Sequence, residues 1–147
     1  MNKERALQWR DKVVRLHPTQ IDWMTFGDAA SGAACPIGHL YRLARPHVPW
    51  ERMGYTIVSA MWLDVPETVL LNIALPGRSA SGNIVNLYTI PALPPEKQHE
   101  LAIGIIDNFI ENDGRSVDWP GVWEKTGCAA IIADIGLIDH GPEISPG

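Results

Sequence analysis

Apolar residues recur at spacings of three and four along most of the chain, the period that places them on one face of an α-helix. Ala6, Trp9, Val13 and Leu16 predict a helix over 3–16, with Asn2 as its cap and Pro18 beyond its end. Asp11 and Arg15 stand four apart on its polar side and form a possible ion pair. Ile21, Trp23, Met24 and Phe26 predict a short helix capped by Thr19 and stopping near Gly27, then a connector of small residues. Pro36 opens a helix to about Ala44 whose buried stripe is Ile37, Leu40, Tyr41 and Ala44. Ile57, Val58, Met61 and Trp62 form the stripe of a helix from Tyr55 to Leu63. Asp64 as cap, Pro66 in the first turn and Glu67 at the capping-box position start the next one, which buries Val69, Leu70, Ile73 and Ala74.

Beyond Pro76-Gly77 the pattern changes to a polar loop and a short extended segment at 84–90. Pro95 then opens the longest helix, 95–112, with Leu101, Ala102, Ile105, Ile106, Phe109 and Ile110 on a broad apolar face and Gly114 as its C-cap. Trp119 to Trp123 reads as a turn that buries aromatics, and Cys128 to Ile138 fits either helix or strand. The sum is mainly α: a single compact helical domain of about five helices over 1–140, packed around 95–112, with a flexible C-terminal tail at 141–147.

Composition supports a folded domain. Hydrophobic residues make up 46% of the 147 and charged residues 20%, which argues against a disordered chain or a disulfide scaffold. Net charge is −5, unevenly spread. Residues 1–53 hold eight basic and five acidic side chains (+3), and residues 54–147 hold four and twelve (−8). A simple nucleic-acid binder would be basic overall, so direct nucleic-acid binding is not expected. The N-terminus lacks the apolar core of a signal peptide, and no apolar run approaches the roughly 20 residues needed to span a bilayer. The expectation is a soluble, cytoplasmic protein with reduced thiols at Cys35 and Cys128 and no contact with membrane.

Candidate chemistry is sparse. Cys35 and His39 stand at i,i+4, where a helix lets them share a metal or lets the imidazole deprotonate a thiol at the helix start. His17 and His47 are further possible ligands. A lone Cys-x3-His is not a zinc signature, and a small packed cysteine beside a hydrogen-bonded histidine is the more ordinary reading. No cofactor is implied. His39, Arg42 and Arg45 form a basic helix face, which suits an anion or simply faces solvent. Gly77 and Gly82 have phosphate-loop spacing, but the Lys and Ser/Thr that grip phosphate are missing after them. Asp107 and Glu111 are spaced to hold a cation, or are solvated carboxylates. Trp50 and Trp119 each adjoin a proline and are placed near the surface, where tryptophan is a contact residue.

Three stretches resemble a group of small uncharacterised bacterial and phage proteins: His17-Pro18, Ile21 to Phe26, and Cys35-Pro-Ile-Gly-His39. That group has an Asp-Met aromatic segment, then a Cys-Ile-Ala-Gly-Trp type motif opening a helix, then an Ala-rich helix ending Ile-x-x-Phe-Ile, here Ala102 to Ile110. The likeness spans roughly residues 14–113. This chain has His39 where the group has Trp, Pro36 for its first apolar residue, and Trp23 between Asp22 and Met24. The resemblance implies a helical architecture and structural roles for Cys35 and Gly38, the latter letting its helix approach the aromatic segment closely. It implies no activity.

These readings favour a protein-binding or self-associating module without catalysis, with Trp50, Trp119, Arg42 and Arg45 as the binding residues. One alternative is a metal- or thiol-dependent enzyme using Cys35 and His39. Another is a phage-type inhibitor that blocks a host nucleic-acid-binding machine with its acidic surface.

Overall fold

Residues 1–23, 25–50, 55–74 and 93–128 are described by the computed structural model. Among them the architecture is mainly helical, with six α-helices and no strand. The helices are α1 (Lys3–Arg15), α2 (Pro36–Ala44), α3 (Tyr55–Leu63), α4 (Glu67–Ala74), α5 (Pro95–Glu111) and α6 (Trp119–Lys125). The expected extended segment at 84–90, most of the ambiguous stretch at 128–138 and the expected tail at 141–147 lie outside the described residues. No helix among the described residues is long and apolar enough to cross a membrane.

α1 forms as its pattern predicts. Asn2 Oδ1 accepts from the Arg5 amide at 3.1 Å, and Ala6, Trp9 and Val13 are fully buried. The helix runs antiparallel to α5, because Arg10 pairs with Asp107 while Val13 meets His99. Trp9 packs edge-on against Phe109 at 5.7 Å and donates its indole N–H to the Pro36 carbonyl. α5 is the centre of the molecule: Leu101, Ala102, Ile105, Ile106 and Phe109 have no exposed surface, and α1 and α6 both pack on it.

The helix expected over 19–27 does not form. A single 3-10 turn occupies Pro18–Gln20, capped by His17 rather than Thr19. Ile21 is then extended and makes an isolated parallel bridge with Ala34. Ile21 and Trp23 are both buried, which is alternation with period two. A helix would have pointed them about 200° apart, with one outside.

Three further expectations are corrected at α3 and α4. Asp64 does not cap α4; it ends α3 in the left-handed conformation (φ 59), with Val65 N–H bonded to Ala60 O and Asp64 N–H to Met61 O. Glu67 accepts from the Thr56 hydroxyl at 2.7 Å instead of bonding back to the backbone. On α3, Ile57 and Met61 are exposed, while Thr56, Ser59, Ala60 and Leu63 face inward. Small side chains are needed on that side, because α3 lies against α2.

α5 ends in the same bonding pattern. Asp113 (φ 56) takes the left-handed position and Gly114 follows at φ 72, so the stop uses one residue more than expected. Trp119 to Trp123 is not a turn but the start of α6, where Asp118 Oδ1 caps the Gly121 amide.

Candidate functional site

The sequence candidates converge on the start of α2. Pro36 sets the first turn and Cys35 is its N-cap, held by a 2.7 Å bond from its amide to the Thr25 carbonyl. Gly38 is obligatory, since a Cβ there would fall onto the Phe26 carbonyl oxygen. The segment before α2 therefore lies directly on the helix, the close approach expected of Gly38.

Cys35 and His39 are both inside this packing, 3% and 2% exposed. Burial pushes the Cys35 thiol up to about 11, and the nearby Gly38 and Ile37 amides only partly oppose it. Burial pulls His39 down to about 4 against the opposing pull of the Gln20 carbonyl, and Lys12 and Arg42 lower it further. Its Nε2 lies 2.8 Å from that carbonyl, which can only accept, so Nε2 carries the proton. A nucleophilic thiolate–imidazolium pair needs the reverse order of these two values. At neutral pH Cys35 is a thiol and His39 a neutral donor. Among the described residues, no three His, Cys, Asp or Glu side chains are placed to hold a metal. His17 caps the 3-10 turn and His47 is exposed beyond α2.

Trp50 and Trp119, expected near the surface, are 6% and 8% exposed. The Trp50 indole finds an inward acceptor, the Gly38 carbonyl at 2.9 Å, and lies over Gly27, where a Cβ would collide with its ring. Arg42 stacks on that ring at 4.3 Å and donates to the Pro46 and Val48 carbonyls, so it fastens the loop after α2. Arg45 is exposed. Lys12, half-buried, reaches the His39 carbonyl, and burial together with Arg42 lowers its pKa. Asp107 and Glu111 are drawn apart, the first to Arg10 and the second to Lys125.

Trp119 lines a cleft of about 380 Å³ between α4 and the loop joining α5 to α6. Thr68, Val69 and Asn72 form one wall, and Arg115, Ser116 and Val117 the other. Sequence reasoning misses this cleft because its residues are scattered in the chain and none belongs to a motif. It also misses the exposed pair on α3, since the spacing of Ile57 and Met61 suits an inward face equally well. Comparison with family models, curated proteins and solved structures finds no match to this chain.

Proposed function

We propose that the chain is a self-associating module, two copies meeting through the outer face of α3. The observation that supports this reading is the orientation of that helix. Ile57 is 52% and Met61 77% exposed, one turn apart, while the Ser59 hydroxyl is buried with no hydrogen-bond partner among the described residues. Burying a Met side chain is worth about 1.5–3 kcal/mol. An unsatisfied hydroxyl costs about 1–3 kcal/mol. The free chain thus carries both costs on one helix, and a partner removes the first.

The partner's face must be apolar and uncharged. Residues 55–63 contain no charged side chain, and the cation beside them, Arg5, is held against Trp62 by stacking and a bond to its carbonyl, so like charges facing a second copy are few. Head-on pairing is open to this face despite the net charge of −5. A nine-residue helix offers far less than the roughly 800 Å² per partner of a stable complex, so the association is weak and concentration-dependent. Both cysteines are free thiols, which fits a reducing cytoplasm.

Sedimentation between about 10 µM and 1 mM tests the reading. The expected result is a reversible monomer–dimer shift that Met61→Lys abolishes without changing the helical signal. A strict monomer over that range overturns it, as does a dimer that Met61→Lys leaves intact. A wild-type monomer that crosslinks from position 61 to a different protein would replace the second copy with a foreign partner.

A further inference from the structure

The cleft beside Trp119 carries an inference that does not depend on α3. We propose that it binds a small free carboxylic acid with an apolar body, the carboxylate on Arg115 and the body against Val69, Val117 and Trp119. Its volume of about 380 Å³ lies within the range of small-ligand pockets.

Four observations converge. Arg115 lines the cleft, and among the described residues its guanidinium has neither a carboxylate within ion-pair distance nor a hydrogen bond. An Arg fork matches a carboxylate with two parallel bonds. Thr68 and Ser116 add hydroxyl groups to the same cleft. Val69, Val117 and the nearly buried Trp119 supply apolar surface for the remainder of a ligand.

The Arg115 wall is fixed in advance. Asn108 Oδ1 accepts from the Asp118 amide at 2.7 Å and from Asn112 Nδ2 at 3.0 Å, which ties the 113–118 loop to the end of α5. The left-handed pair Asp113 and Gly114 turns the chain into that loop, and a Cβ at Gly114 would crowd Val65. The fixed backbone leaves the Arg115 side chain, rather than the whole loop, to be ordered on binding. The ligand carries one negative charge because one guanidinium neutralises one, and Asp113 and Asp118 flank the loop in sequence. A phosphate dianion would need a second cation.

The test is an amide-resolved NMR titration of the whole chain with 3-phenylpropionate, its neutral amide, and acetyl-glycyl-phenylalanine. The expected result is a saturable shift at Ser116, Val117 and the Trp119 indole, with the acid binding at least about tenfold tighter than the amide. Arg115→Gln removes that difference while the rest of its spectrum matches wild type, since Arg115 is exposed. The proposal falls if nothing saturates by about 10 mM, a level just above the weakest ordinary affinities. It also falls if acid and amide bind alike, or if Arg115→Gln keeps the preference. Tighter binding of the peptide would assign the cleft to a chain terminus and overturn the free acid.

Discussion

His39 shows how a single side chain makes stability depend on pH. Its ordinary pKa near 6.5 falls to about 4 in the folded chain, mainly because burial penalises the charged ring. Between those values the unfolded chain binds more protons than the folded one. The His39 contribution is therefore fully present above about pH 6.5 and is lost as pH falls toward 4. Urea unfolding from pH 7 to pH 4 should show stability dropping by up to about 3 kcal/mol. His39→Gln, which keeps a donor for the Gln20 carbonyl, should flatten that dependence. The Cys-x3-His spacing is visible in the sequence, but its chemistry is not. Neither residue says whether it will be wetted, and the close contacts at Gly27 and Gly38 that decide it come from Trp50 and Phe26.

Elements differ in how well their pattern announces them. α1 and α5 each have a polar side, so spacing alone fixes which face is buried, whereas α2 is buried on nearly every side, His39 included. α3 has no polar side: its only hydroxyl-bearing Ser and Thr residues, Thr56 and Ser59, are the ones turned inward, and packing on α2 sets its rotation. Helix ends follow a shared rule that the sequence half reveals. α3, α5 and α6 all close with a left-handed residue, at Asp64, Asp113 and Gly127. Only the last is a glycine there, and a left-handed L-residue costs roughly 1 kcal/mol. Asp64→Gly is expected to raise stability by about 0.5 kcal/mol in chemical denaturation, since the relieved strain exceeds the added freedom of the unfolded chain. Asp64 reads as a cap for α4 in sequence because Asp serves both ends of a helix connection, and the choice depends on the neighbouring φ.

At the scale of the whole molecule, the pairing of α1 with α5 joins the two differently charged parts of the chain. Arg10 and Asp107 meet across it, and the carboxylate raises the Arg10 pKa through a hydrogen bond and its charge. Both side chains are partly solvated, so the coupling is modest. A double-mutant cycle with Arg10→Met and Asp107→Leu should give about 0.5–1 kcal/mol, decreasing at high salt. The sequence alone determined that the chain is mainly helical, where most helices begin, and that α5 is the broadest apolar element. Those properties rest on periodicity and caps, which act over a few residues. Tertiary structure decided the extended run at Ile21 and Trp23, the outward turn of Ile57 and Met61, the burial of Trp50 and Trp119, and the cleft around Arg115. Each depends on contacts between residues far apart in the chain, and local spacing contains no record of which surfaces will meet.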